Sequence, residues 1–209
     1  MFNLKKSAAI YFFLSLIFVS SFCQAQRKTR FSIKESGSGL RPKLESRRAP
    51  EFKDSKRGMS ALGYWGVIDL EFELDNRKDE WLDELEVYCL VLAMPRGSGG
   101  VVLEQTFRYM DVRGGEKNNL NLFITPNFFR RHMDSNKPDM SRLSVYLELR
   151  MNGSPLHRNP IVNTATGVPR DWFQKVGNAK KIPNALLLKS KTPFADLDYD
   201  YYLYEVPGQ

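Results

Sequence analysis

The stretch WGVIDLEFEL, residues 65–74, decides the fold class of this chain. Its apolar residues Ile68, Leu70 and Phe72 alternate with acidic residues. Because successive side chains of a β-strand point to opposite faces, this period of two predicts a strand with one buried and one solvated face. The turn residues DNRKD, at positions 75–79, then end the strand.

Comparable segments follow along the chain, and most of them are separated by turn residues. The further strands that we expect cover residues 85–94, 101–112, 120–124, 143–149, 185–188 and 199–206. Thr125 followed by Pro126 predicts the start of a short helix over residues 127–133, and a helical turn is expected over 171–176. Asn152-Gly153 predicts a tight hairpin with a short or edge-lying return arm.

Short alternating strands at this spacing are typical of an all-β domain. We therefore expect an immunoglobulin-like β-sandwich with one or two short helices over residues 59–209. The pattern does not distinguish a sandwich from a barrel, so a barrel remains the alternative. The first run in which both alternating faces are apolar is residues 85–94, which predicts a central strand that contains Cys89.

The N-terminus has the three parts of a secretory signal. Lys5 and Lys6 precede an apolar run over residues 8–22, and Ala25 supplies a small residue for cleavage. The run is shorter than the roughly 20 residues that span a bilayer. We therefore expect residues 1–25 to be a signal peptide, with Gln26 as the mature N-terminus. A membrane anchor and lipidation at Cys23 are the alternatives, and no transmembrane segment is expected after cleavage.

The excess positive charge lies outside the expected domain. Residues 27–57 hold eleven lysines and arginines against four acids, whereas the chain from Gly58 onward holds 18 basic and 20 acidic residues. With few large apolar residues, residues 26–58 are predicted to be a disordered basic linker. The linker is a tether or an electrostatic contact with an acidic surface. Specific nucleic-acid recognition is not expected, because a shaped basic face with stacking aromatic residues is missing.

No set of residues in the sequence predicts a reaction. Cys89 is expected to be a buried core thiol, and His132 and His157 are expected at the surface, neither with a partner at metal-ligand spacing. We therefore predict no catalytic, metal-binding or cofactor-binding residues and no enzyme. A calcium site at Asp196, Asp198 and Asp200 is the weaker alternative, because the glycine turn of a calcium loop is missing.

Four tyrosines crowd the C-terminus, at Tyr199, Tyr201, Tyr202 and Tyr204. If they lie on a strand, Tyr199 and Tyr201 face opposite to Tyr202 and Tyr204 around a local irregularity. One pair then packs on the core and the other is exposed. Because tyrosine offers a large contact area at low entropic cost, we expect the exposed pair to bind a partner subunit.

Two segments resemble those of a known family. An acidic segment around Trp-Leu-Asp, residues 79–87, and the segment KTPFADL, residues 191–197, are similar to exported immunoglobulin-like proteins of verrucomicrobial type IV pilus-like gene clusters. The resemblance covers Gly58 to the C-terminus. It implies a two-sheet sandwich without enzymatic activity in a surface or pilus-associated assembly, and it defines no functional residues.

The function expected from the sequence is therefore that of an exported, non-enzymatic envelope protein. It is expected in the periplasm, at the outer membrane or outside the cell, with protein partners in a cell-surface or pilus-like assembly. The first alternative is a glycan-binding β-sandwich module, and the second is a hydrolase with converging carboxylates. Glycan binding would favour the first, and a carboxylate-lined cleft would favour the second.

Overall fold

The computed structural model describes residues 31–35, 39–50, 63–97, 99–198 and 201–209. The predicted signal peptide lies outside these residues. The compact unit Phe31–Gln209 is mostly β-structure. Its described strands are β1 Lys43–Arg48, β2 Tyr64–Glu73, β3 Trp81–Ala93, β4 Val101–Arg113, β5 Lys117–Ile124, β6 Leu143–Met151, β7 Ser154–Pro155, β8 Ile161–Asn163, β9 Lys180–Lys181, β10 Leu186–Leu188 and β11 Tyr204–Glu205.

These strands form two sheets. The first has the order β1-β2-β5-β10, and all its pairs are antiparallel. The second has the order β11-β4-β3-β6-β7, with β8 also paired to β6 and β9 paired in parallel to β4. The prediction of an all-β immunoglobulin-like sandwich is confirmed, and the barrel alternative is wrong.

The core lies between the two sheets. The inner face of β3 contributes Leu85, Val87, Cys89 and Val91, all without exposed surface. The register of β3 against β6 places the buried Cys89 opposite the buried Leu147, so the two strands share one apolar face. The predicted burial of Cys89 in a central strand is therefore confirmed.

Both sheets are also covered on their outer faces. On the first sheet Trp65 and Phe123 pack edge-to-face, and Phe194 stacks on Phe123 with ring centroids 5.0 Å apart. On the second sheet Trp172 packs with Leu90 and Val102. Loop segments from the C-terminal part of the chain thus close both faces.

One α-helix, α1 Pro126–His132, follows β5 in the described part of the chain. The Thr125 hydroxyl accepts a hydrogen bond from the Phe128 N–H, which confirms the predicted cap. Gly66 lets the helix approach β2, because a Cβ at this position would lie 2.8 Å from the Phe129 ring. The helical turn predicted over residues 171–176 is present as a 3-10 helix, Trp172–Gln174.

The prediction of disorder over residues 26–58 is wrong for the described part of that range. Strand β1 pairs with β2 over its whole length, and Leu44 packs on the core. Ile33, which is buried, forms an isolated bridge with Leu74. The prediction rests on the small number of large apolar residues, but a strand at the edge of a sheet needs few of them and commonly carries charged side chains. Residues 51–62 lie outside the description.

The tight hairpin predicted at Asn152-Gly153 is confirmed. Both residues have positive φ, 50° and 73°, and Met151 pairs with Ser154 across the turn. The strand predicted over residues 199–206 is shorter, since in the described residues only Tyr204–Glu205 pairs, with β4. Among the residues that the structure describes, no helix combines the length and apolar character needed to cross a membrane.

Candidate functional site

The tyrosines predicted to bind a partner lie in the segment that crosses from the first sheet to the edge of the second. Tyr201 and Tyr204 are 55% and 53% exposed, and Leu197, four positions before Tyr201, is 46% exposed. Tyr202 is half-buried between them, and Tyr199 lies outside the described residues. We call Leu197, Tyr201, Tyr202 and Tyr204 the tyrosine surface.

The predicted facing is wrong for the described tyrosines, because Tyr201 and Tyr202 do not lie on a strand. The Tyr201 N–H donates to the Asp198 carbonyl at 3.1 Å, and Asp198 has a φ of 48°. The Leu203 N–H then donates to the Asn119 carbonyl of β5. Without regular alternation, Tyr201 and Tyr204 are both exposed, and of the three described tyrosines only Tyr202 turns inward.

Tyr202 anchors the segment. The Lys189 ammonium lies 5.2 Å from the centre of the Tyr202 ring, and it donates to the Ala195 carbonyl at 2.9 Å. Lys189 is only 8% exposed, and this burial lowers the pKa of its ammonium. Burial likewise raises the pKa of the Tyr202 hydroxyl, although the neighbouring Arg47 guanidinium opposes that effect. The cation–π interaction between Lys189 and the Tyr202 ring therefore holds Tyr202 in place.

The end of the chain is tied down beyond the tyrosines. Glu205 accepts hydrogen bonds from the Ser190 backbone N–H and hydroxyl. The Gln209 side chain bonds to both the N–H and the carbonyl of Arg108. The exposed rings of the tyrosine surface are therefore carried by a segment that is fixed on both sides.

A polar cleft of about 920 Å³ opens beside Tyr201 on the first sheet. Its floor contains Asp69, which accepts a hydrogen bond from the Asn121 side chain and lies 3.8 Å from the Arg47 guanidinium. Burial raises the pKa of Asp69, and Arg47 partly offsets the increase. The charged and polar residues that line the cleft include Arg41, Lys43, Glu45, Asp69, Glu71 and Asn119.

The sequence did not predict this cleft. Asp69 and Asn121 are 52 positions apart, and their contact depends on the register of β2 against β5. Alternation identifies Asp69 as a residue of a solvated face, which is the one signal available from the sequence. No local pattern pairs it with Arg47, which comes from the segment expected to be disordered.

A smaller cavity, of about 220 Å³, lies on the far side of Tyr202. Its lining includes Tyr109 and Lys189. Tyr109 is fully buried, and this burial raises the pKa of its hydroxyl well above the ordinary value. Within the described residues that hydroxyl has no hydrogen-bond partner.

The histidines are both half-buried and lie in different parts of the chain, His132 on α1 and His157 after β7. His157 accepts a hydrogen bond from the Leu149 N–H at Nε2, and its Nδ1 lies 2.7 Å from the Asn159 carbonyl. His132 packs against the Phe128 ring on α1. In the described ranges no three His, Cys, Asp or Glu side chains come together as metal ligands. Asp200 of the calcium alternative lies outside those ranges.

Comparisons with known proteins agree with the fold. The crystal structure of a protein from Akkermansia muciniphila matches with a TM-score of 0.66 and 16% sequence identity, over 88% of this chain and 98% of that chain. At this identity the match shows a shared fold. No curated protein matches the chain.

The part of the expected resemblance that is confirmed is the two-sheet sandwich fold, which the chain shares with this verrucomicrobial structure. A protein-family model matches residues 28–207, which include β1 as well as the expected domain. The chain therefore belongs to the family that this model describes.

Proposed function

We propose that this chain is a non-enzymatic, exported protein of the bacterial cell envelope. It belongs to a pilus-like or other surface assembly, in which it binds a protein partner through the tyrosine surface. The observation that carries the proposal is the exposure of Leu197, Tyr201 and Tyr204 within eight residues of a segment that is tied to both sheets. The family resemblance and the verrucomicrobial structural match support the cellular setting.

The tyrosine surface suits a protein interface for two physical reasons. Tyrosine has an apolar ring and a polar tip, so it can lie in water when free and contribute a large contact area when bound. The segment is also held in place by Tyr202, Glu205 and Gln209 before any partner arrives. Little conformational entropy is then lost on binding.

Single substitutions test the proposal. We expect Tyr201→Ala and Tyr204→Ala to leave the melting temperature within about 2 °C and to reduce co-purification of the partner after cross-linking in intact cells at least about tenfold. Tyr202→Ala is expected to lower the melting temperature by about 2–4 °C per kcal/mol lost, because it removes a half-buried anchor. Trp81→Ala is the matched control, since Trp81 is 50% exposed but lies elsewhere, over Arg113.

The proposal fails if Tyr201→Ala and Tyr204→Ala both lower stability and neither changes association or localisation. In that case the tyrosines are packing residues. Equal loss of association in Trp81→Ala would also count against it, because the effect would not be specific to the tyrosine surface.

Export is tested separately, at the N-terminus. We expect Gln26 to be the first residue of the protein recovered from the envelope or the medium, because Ala25 ends the signal motif. Edman degradation or N-terminal peptide mass spectrometry measures this directly. A first residue of Met1, or an acylated Cys23, would show an anchor or a lipoprotein instead.

The polar cleft favours a second candidate, a glycan-binding module. Sugar hydroxyls are bound by carboxylate and amide groups beside an aromatic ring, and the cleft places Asp69 and Asn119 next to Tyr201. Binding on a glycan array that is lost in Asp69→Asn but retained in Tyr204→Ala would support this candidate. Tyr204 lies outside the cleft lining, which makes it the matched control.

A further inference from the structure

We propose that the outer edge of β4 is a binding site for an extended peptide segment of a protein partner, which adds a short strand to the second sheet. The site lies between β9 and β11, which occupy the two ends of this edge. β9 pairs with β4 at residues 101–102 and β11 pairs with it at residues 109–110. We call the stretch between them, residues 103–107, the β4 gap.

The direction of each backbone group in the β4 gap follows from its neighbours. At one end the Val102 carbonyl accepts from the Ile182 N–H, and at the other Arg108 bonds to Val206 and Gln209. Between Val102 and Met110, even-numbered residues of β4 therefore direct their N–H and carbonyl groups to the outer edge, whereas odd-numbered residues direct them to β3. Glu104 and Thr106 accordingly present their N–H and carbonyl groups to the outer edge.

Nothing in the described part of the chain bonds to these edge groups. The N–H and carbonyl groups of Glu104 and Thr106 have no backbone hydrogen-bond partner on the outer edge among the described residues. The side chains of residues 104–106 are exposed. An exposed charged side chain could block pairing at this edge. The Glu104 carboxylate, however, accepts a hydrogen bond from the Tyr88 hydroxyl at 2.9 Å and forms an ion pair with Lys181.

The chemistry of the gap specifies its occupant. A row of alternating backbone donors and acceptors at strand spacing is matched by another extended backbone. At about 3.4 Å per residue the five positions span about 17 Å, enough for a strand of three to five residues. The flanking strands show that β4 accepts a parallel neighbour at one end and an antiparallel neighbour at the other.

This inference rests on the proposed function only in requiring that the partner is a protein. The β4 gap and the tyrosine surface use different residues, although β11 carries Tyr204 and borders the gap. Loss of partner binding in Tyr201→Ala with an intact gap, or the reverse, therefore distinguishes failure of one proposal from failure of the other.

Amide hydrogen exchange of the free protein is the first test. We expect the Glu104 and Thr106 N–H groups to exchange at least about 100-fold faster than those of Gln105 and Phe107, which are directed to β3. Equal protection of all four amides would show that the edge is already covered, and it would overturn the proposal.

Peptide binding is the second test. The probe is a synthetic peptide with five alternating threonine and valine residues between terminal lysines. Two-dimensional NMR spectra of the protein are recorded as this peptide is added up to 10 mM. We expect shifts at Glu104 and Thr106 and a slowing of their exchange. A peptide N-methylated on every second residue, so that one edge loses its donors, should bind at least about tenfold more weakly. Equal binding of both peptides, or no shift at either residue, would overturn the proposal.

Proline substitutions complete the test. Thr106→Pro removes a donor that faces the gap, so it should retain the fold and lose the peptide-induced shifts. Gln105→Pro is the matched control, because it removes a donor that faces β3, and we expect it to unfold the sheet. If Thr106→Pro also unfolds, the orientation of the edge groups is wrong and the proposal fails with it.

Discussion

Cys89 shows how a reactive group can be made inert by its position. Its side chain has no exposed surface, and burial raises the pKa of the thiol well above its ordinary value. We expect no measurable labelling by a thiol reagent in the native state and complete labelling after unfolding, since the thiolate is the reactive form. Rapid native labelling would contradict its place on the inner face of β3.

The same residue gives a packing prediction. Cys89→Ala should lower the free energy of unfolding by about 1–2 kcal/mol, because a small cavity remains between Val87 and Val91. Urea titration measures the loss, and Cys89→Val is the matched variant that refills the space. An alanine variant as stable as the parent would show that the core closes around the site.

We expect His132 to make the stability depend on pH. Burial against Phe128, with Arg131 and Lys180 nearby, lowers the pKa of His132 in the folded protein. Protonation therefore favours the unfolded chain, so this contribution to stability is complete above the unfolded pKa of about 6.5 and is lost as the pH falls below it. His132→Gln should flatten the decrease in unfolding free energy between pH 7.5 and 5.5. Identical pH profiles for the two proteins would exclude this role.

At the residue scale, the sequence predicted burial better than it predicted partners. Alternation identified Cys89 as buried and Asp69 as solvent-facing, because one strand contains that information. It could not place Lys189 under Tyr202, since that contact depends on a turn whose form is set by hydrogen bonds to β5. The tyrosine surface was therefore predicted by composition, and its facing was not.

Gly66 tests how closely α1 and β2 pack. A Cβ at this position would lie 2.8 Å from the Phe129 ring and 3.3 Å from the Ile124 Cβ. Gly66→Ala should therefore cost about 1–3 kcal/mol through overpacking, measured by thermal or urea unfolding. Gly177→Ala is the matched control, because nothing lies within 4 Å of its added Cβ. Equal effects of the two substitutions would show that the helix can shift at no cost.

Strand β1 marks the limit of sequence reasoning about elements. The long strands and α1 have clear local patterns, and those elements were predicted with their bounds nearly correct. β1 is a short edge strand of mixed charge, and it is ordered by pairing with β2, about twenty positions along the chain. Local composition resembles that of a solvated tether, so only the long-range pairing separates the two.

A shortened protein tests the importance of β1 for the whole molecule. A variant that begins at Gly58 lacks β1 and the buried side chain of Ile33. We expect it to be less stable than a variant beginning at Gln26 by about 3 kcal/mol or more, since full burial of one large aliphatic side chain contributes about 1.5–3 kcal/mol. Equal urea midpoints for the two variants would show that residues 26–58 add no stability and act as a tether.

At the scale of the whole molecule, the sequence predicted the class and the number of layers but not the closure of the outer faces. Trp65 and Trp172 are buried under loop segments on the outer faces of the two sheets. That arrangement depends on where Phe194 and the 3-10 helix Trp172–Gln174 return to the sandwich. Such returns have no periodic signal in the sequence.

The covered outer faces have a consequence in time. The segments that cover these faces come late in the chain. Trp65 and Leu90 therefore remain uncovered until Phe194 and Trp172, which pack on them, have been synthesised. Strand pairings between distant positions also form slowly, because the entropy of closing the loop is lost before the stabilising contacts form. A newly made chain therefore passes through a stage in which the apolar outer faces of both sheets are exposed and can aggregate with other chains. Folding of the C-terminal segments onto these faces ends that stage.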